Sequence, residues 1–243
     1  MYCTKSMPLL FLLFSLTLLH AATAANPLYN ICFSKDNYTT NSPYRNNLND
    51  LLSILATKAP PTGFGLGSIG KAQDYVSGLA LCRGDVSSPD CKTCINDASK
   101  ELLQRCPNNK GAIIWYDNCL LKYSNVKFFG KIDYDNKFSL FNVMDVEGDP
   151  EVFYRKVKEL LSGLANKAQA TEKLYAPGDL ELKKNEKLYG IVQCTRDLSS
   201  ADCKKCLDDA INGLPGCCFG KRGGRIVGGS CNAGYELYPF INQ

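Results

Sequence analysis

The chain has 243 residues, a formal net charge of +4, thirteen cysteines and a single histidine. Cationic and acidic side chains are nearly balanced, 12 against 10 over residues 26–136 and 15 against 14 over residues 137–243, so neither half carries the field of a nucleic-acid footprint. Cleavage of the leader described next would remove Cys3 and His20, leaving twelve cysteines and no histidine, which excludes Ser-His-Asp and Cys-His catalysis and any imidazole metal ligand.

Lys5 precedes an apolar run over 8–19 and small residues over 21–25, the pattern of a secretory signal peptide cut near Ala24 or Ala25. The run is shorter than the roughly 20 residues a membrane helix needs, and no later segment is longer, so a secreted chain with no membrane span is expected. After the signal peptide, 1–25, the length suits two domains, 26–136 and 137–243.

In chain order, Asn37-Tyr38-Thr39 is the one N-glycosylation acceptor with no proline in its middle position. Leu48, Leu51, Leu52 and Leu55 fall at i, i+3, i+4 and i+7 of an amphipathic helix. "GFGLGSIG" spells G-x-G-x-x-G, but no βαβ dinucleotide unit surrounds it, and it reads as a flexible loop. "YVSGLALC" reads as a strand, and the "RGD" at Arg83, Gly84 and Asp85 as a chance match. A second helix is expected with Ser88 as its cap and Pro89 at its first position, placing Cys91, Cys94, Ile95, Ala98 and Leu102 on one inward face. "GAIIWYDNCLLKYS" supplies antiparallel strands. The segment 124–138 is aromatic and charged rather than Gly/Ser-rich, so the two domains are expected to pack together.

The rest of the chain repeats this order. Sliding the sequence on itself by 112 residues superimposes Cys82, Cys91, Cys94, Cys106 and Cys119 on Cys194, Cys203, Cys206, Cys218 and Cys231. Val157, Leu160, Leu161 and Leu164 repeat the first helix, Ser200 the second cap, and "GGRIVGGSCNAGYELYPF" the closing strands. The class is α+β, in two tandem copies with helices laid on one face of an antiparallel sheet. Zinc binding and dithiol redox chemistry are the competing uses of "CKTC" and "CKKC". An even cysteine count in a secreted chain favours disulfide staples, although six cysteines allow fifteen pairings.

The doubled C-x8-C-x2-C, with a further cysteine pair thirteen apart and the ending "CNAGYELYPF", resembles the plant cysteine-rich repeat secretory proteins built from ginkbilobin-type, stress-antifungal domains. The same domain pair forms the outer part of receptor-like kinases and plasmodesmata-located proteins that continue into a membrane helix; this chain, ending at Gln243, resembles the free secreted form. The resemblance implies two helices on a five-stranded sheet per domain. It also implies the pairs Cys32–Cys106, Cys82–Cys91 and Cys94–Cys119, then Cys194–Cys203 and Cys206–Cys231. Met144 stands where the second copy would carry the counterpart of Cys32, and Cys217 is extra. Cys217 and Cys218 are left to a vicinal bond, short for a disulfide at a 3.8 Å Cα separation, or to an intermolecular link.

Ginkbilobin itself resembles a mannose-binding antifungal lectin whose site uses an Asn after the first cysteine, an Arg seven residues after the fifth and a Glu five after the sixth. Those positions hold Phe33, Ile113 and Ser124 in the first copy, but Arg225 and Glu236 in the second, where the Asn position falls near Asp145, with Asn142 close by. An Arg fork that donates and a carboxylate that accepts can together hold vicinal hydroxyls. The competing reading is a strand-end ion pair.

The expectation is a non-catalytic binding protein of the plant apoplast, directed in defence at cell-wall or fungal mannose-type glycans, with no cofactor and no metal. Its rivals are a protein-interaction module that binds an extracellular receptor domain, a redox-responsive sensor, and a glycosidase, for which no carboxylate pair is marked out.

Overall fold

The computed structural model describes residues 26–241; the signal-peptide reading of residues 1–25 lies outside them. The first unit runs β1 (Tyr29–Cys32), α1 (Pro43–Thr62), β2 (Phe64–Ile69), β3 (Val76–Cys82), α2 (Ser88–Arg105), β4 (Gly111–Trp115) and β5 (Cys119–Ser124). The second runs β6 (Lys137–Phe141), α3 (Pro150–Ala168), β7 (Tyr175–Lys183), β8 (Glu186–Cys194), α4 (Ser200–Gly213), a single turn α5 (Pro215–Cys218), β9 (Gly223–Gly228) and β10 (Cys231–Glu236). Each unit forms a five-stranded antiparallel sheet, ordered β1-β4-β5-β3-β2 and β6-β9-β10-β8-β7, so the chain is α+β with two related halves.

Local chemistry sets the helix ends. Ser42 caps α1 by accepting the Arg45 N–H, and Gly63 closes it in the left-handed region at φ +81°. The caps of α2 and α4 lie one residue before the expected Ser88 and Ser200. Ser87 accepts the Asp90 N–H at 3.2 Å and Ser199 the Asp202 N–H at 3.1 Å, because the hydroxyl must belong to the last extended residue to reach an N–H three residues on. The aspartates answer by accepting those hydroxyl protons at 2.6 Å. "GFGLGSIG" is not a loop: it forms β2, paired along its length with β3 from Phe64↔Leu81 to Ile69↔Val76. Its glycines hid the strand by lowering the propensity signal.

Six disulfides close within the described residues. Cys32–Cys106 ties β1 to the end of α2, Cys82–Cys91 and Cys94–Cys119 tie α2 to the sheet, and Cys194–Cys203 and Cys206–Cys231 do the same for α4. The two cysteines of each C-x2-C therefore have different partners. Cys217 bonds its neighbour Cys218, with Cα atoms 3.8 Å apart.

Each helix pair covers one sheet face. Alternate residues of β3, Val76, Ala80 and Cys82, join Leu48, Leu51, Leu55 and Ile95 in one core; Val157, Leu161, Val192, Leu207 and Ala233 form the other. The opposite face of the first sheet is also buried. Leu79, Ile113, Trp115 and Leu120 pack with Val227 of β9, with Phe138 of β6 and with Phe128 and Phe129 of the connecting segment. The Trp115 indole N–H donates to the Gly228 carbonyl at 3.1 Å, and the buried Gln193 amide donates to Cys82 O at 3.0 Å. The two helix-free faces thus meet, with a buried ion pair at their seam. Lys122 Nζ lies 2.6 Å from Asp133 Oδ2, their side chains only 6% and 8% exposed, and the ammonium sits 4.4 Å from the centre of the Phe128 ring.

Burial alone would raise the Asp133 carboxyl, but the Lys122 ammonium and the Asn136 N–H and amide hold it below the ordinary carboxylate range. Asp133→Ala, which leaves that ammonium buried without a counter-charge, is expected to cost about 3–5 kcal/mol in urea unfolding, and Lys122→Met in the same background should recover most of it. A single-variant loss below about 1 kcal/mol would refute the buried pair. Because the folded pKa is lowered, the wild-type contribution is complete above the unfolded value and fades as pH falls through the folded one, so the gap between wild type and Asp133→Ala should close in acid.

Candidate functional site

Arg225 and Glu236 lie on adjacent strands of the second sheet. The β9–β10 register pairs Gly234 with Arg225 and Glu236 with Gly223, so each polar residue stands opposite a glycine on the helix-free face. Those glycines make room. A Cβ on Gly223 would collide with the Glu236 carboxylate, and one on Gly234 would lie 2.9 Å from Arg225 Cγ. The two side chains therefore fold across the sheet instead of standing away from it.

The edge strand β6 supplies the next row. Leu140 pairs with Arg225, and the Asn142 N–H donates to Gly223 O at 2.9 Å, which brings Asn142 alongside Gly223 and Glu236. Asp145 does not line this cleft: it is exposed, bridged to Lys221, and its carboxylate lies 2.6 Å from the Lys221 ammonium. Asn142 stands beside Glu236 because its N–H bonds Gly223 O as that of Phe33 bonds Gly111 O in the first unit, whereas Asp145 lies three residues further along, opposite Lys221. Together with Asp117, Phe141 and Tyr238, these residues line a cleft of about 270 Å³, on the scale of one sugar ring. By contrast, the gap in the seam beside Trp115, Gln193 and Val227 measures about 40 Å³, little more than a water.

The electrostatics of the cleft are mixed. Glu236 Oε2 is buried and has no hydrogen-bond partner within the protein. Burial pushes the Glu236 carboxyl above its ordinary range, against the opposing pull of the Asn142 amide and the Arg225 charge. Arg225 makes its ion pair with Asp117, at 3.2 Å, and its guanidinium lies 5.8 Å from the centre of the Phe240 ring. A donor fork and an acceptor carboxylate are thus both turned into one cleft.

In the first unit the same location is closed. The Phe33 ring takes the place over Gly111 that Glu236 takes over Gly223; a Cβ there would lie 2.6 Å from Phe33 Cε2. Ile113 and Ser124, at the Arg and Glu positions, are buried, and Lys122 replaces Gly234. The "RGD" segment is closed as well: Arg83 grips Asp85 through two bonds of 2.6 and 2.9 Å, with both side chains largely buried. Among the described residues, no cluster of His, Cys, Asp and Glu is arranged to hold a metal ion.

Sequence reasoning missed Asp117, Tyr238 and the two glycines. The glycines were readable as "GGR" and "AGYE" once the strands were aligned. Asp117 belongs to the other unit, and nothing in its local sequence announces the contact.

The domain family described as "Salt stress response/antifungal" matches residues 31–126 and again 144–238. An antimicrobial ginkbilobin-2-like protein of Castanea crenata is 62% identical over 242 residues, covering 100% of both chains. Cysteine-rich repeat secretory protein 38 of Arabidopsis thaliana is 55% identical over 206 residues, covering 84% of this chain and 81% of its own. Among solved structures, the tandem DUF26 ectodomains of the Arabidopsis thaliana cysteine-rich receptor-like proteins PDLP8 and PDLP5 superimpose with TM-scores of 0.76 and 0.73 at 26% and 27% identity. Each match covers 88% of this chain, and 98% and 100% of the respective ectodomain. Two family matches in one chain, a relative aligned end to end and a shared tandem architecture agree: the chain belongs to the salt stress response/antifungal family of cysteine-rich secretory proteins, as a tandem pair of its domains.

Proposed function

We propose that this is a non-catalytic defence protein of the plant apoplast that binds mannose-type glycans through its second domain. The observation that carries the reading is that the Arg225 fork and the Glu236 carboxylate, each opposite a cross-strand glycine, line one cleft of sugar-ring size beside Asn142. Hydroxyls at adjacent ring carbons can accept from the guanidinium and donate to the carboxylate, while Tyr238 and Phe141 offer apolar surface to the ring. The antimicrobial name of the Castanea crenata relative supports an antifungal role. Asn37 is exposed and ready to carry a glycan, next to the buried Tyr38.

A second reading, a protein-interaction module, is favoured by a different feature. Leu140, Phe141, Val143 and Met144 are exposed along and beyond the edge strand β6, with Phe219 also exposed on the turn that follows α5. The likeness to receptor-like ectodomains agrees with it.

A glycan array probed with the oxidised protein and with an Arg225→Ala, Glu236→Ala double variant separates the two. Mannose-type binding lost in the variant supports the lectin reading; equal retention by both sinks it, and no binding by either directs the search to protein partners along β6. Glycan binding should also weaken as pH falls, starting above the usual carboxylate range, because protonated Glu236 no longer accepts as an anion. The linked stability effect has the opposite sign. With the folded pKa raised, ionised Glu236 costs stability at neutral pH, so Glu236→Gln should melt higher than wild type there and the difference should vanish on acidification. Thermal unfolding from pH 7 to pH 4 reads this directly.

A further inference from the structure

The cleft is not built by the second domain alone. Asp117 lies in the turn between β4 and β5 of the first unit, yet lines the cleft, with Oδ1 3.2 Å from Arg225 Nη1. The turn is held in place from its own side. Tyr116 N–H donates to Cys119 O at 2.8 Å, and Arg83, itself locked to Asp85, donates its backbone N–H to Asn118 O at 2.9 Å and its guanidinium to Asp117 O at 3.4 Å. The carboxylate it presents stays 63% exposed, free to meet a ligand, while the seam behind it fixes the two domains.

We propose, building on the carbohydrate reading above, that Asp117 is a ligand-contacting and specificity-determining residue: the sugar site is a two-domain site, and its carboxylates select neutral hexoses over uronic acids. The charge arrangement supplies the reason. Among the described residues Arg225 is the one cation lining the cleft, and it is accompanied by two acids, Asp117 and Glu236. A neutral sugar can add its hydroxyls as acceptors for the unused guanidinium N–H groups and as donors to the carboxylates, leaving the ion pair intact. A uronate would have to take the fork from Asp117 and then sit against both carboxylates. The first domain, whose own cleft is closed by Phe33, thereby contributes to the site of its neighbour.

The test compares the full secreted chain with Asp117→Asn and Asp117→Ala on immobilised mannan and on polygalacturonate at low salt. Wild type is expected to be held by mannan alone. Asp117→Ala should bind mannan about tenfold more weakly, for the loss of one charge-assisted hydrogen bond, and should gain salt-sensitive retention on polygalacturonate as Arg225 is freed; Asp117→Asn should fall between. Unchanged or tighter mannan binding by Asp117→Ala, with no gain on the acidic polymer, overturns the proposal. If wild type ignores mannan, the mannose reading fails on its own. The acidic-polymer arm still decides the role of Asp117: a gain in Asp117→Ala upholds it as the charge filter of the cleft, and no gain refutes it.

Discussion

The structure depends on the burial of two helix-free sheet faces against each other. Every residue of β3, β4 and β5 is buried, because α1 and α2 cover one face and the second domain covers the other. Antiparallel sheets usually leave one face to water. Here, exposing that face would uncover Leu79, Ile113, Trp115 and Leu120, each worth roughly 1.5–3 kcal/mol of transfer free energy. The seam also contains directional bonds, Trp115 to Gly228 and Gln193 to Cys82, and the Lys122–Asp133 pair, so it fixes orientation as well as contact. Only with that orientation fixed does a turn of the first domain meet Arg225 of the second.

Two copies of one design have been put to different uses at the same position. The glycine at the start of the fourth strand leaves a hollow on the helix-free face. In the first domain the hollow receives Phe33, which directly follows the disulfide-bonded Cys32 and is brought with it over Gly111. The register corrects the expected counterpart of Cys32 from Met144 to Phe141, which stands opposite Gly224 as Cys32 stands opposite Ala112; the second domain therefore has no such bridge, and β6 is held by its ladder to β9. Its hollow therefore stays open to Glu236 and is flanked by Asn142. One domain has become a wall and the other a cleft.

The disulfides act locally within this scheme. The separations of 9 and 25 residues recur in both halves and staple α2 and α4 to their sheets. Loops of this size add on the order of 3 kcal/mol each, comparable with much of the net stability of a small domain. None crosses between domains among the described residues, so the interdomain geometry rests on packing and hydrogen bonds.

Much of the fold could be read in the sequence, because its signals are local and periodic. Leucines at helical spacing marked α1 and α3, and the offset of 112 residues marked the repeat and its strands. Arg225 and Glu236 could be singled out because they stand at fixed distances from cysteines. The exceptions also have local causes: glycines masked β2, and the caps slipped by one residue where two serines stand together. What only the tertiary structure decided are the relations between segments far apart in the chain. It placed Asn142 rather than Asp145 beside Glu236 in the cleft, because the β6–β9 ladder decides which residue of that stretch stands there. It supplied Asp117, more than a hundred residues from Arg225, because the meeting of two sheet faces is set by shape and burial over whole surfaces, which no short stretch of sequence encodes.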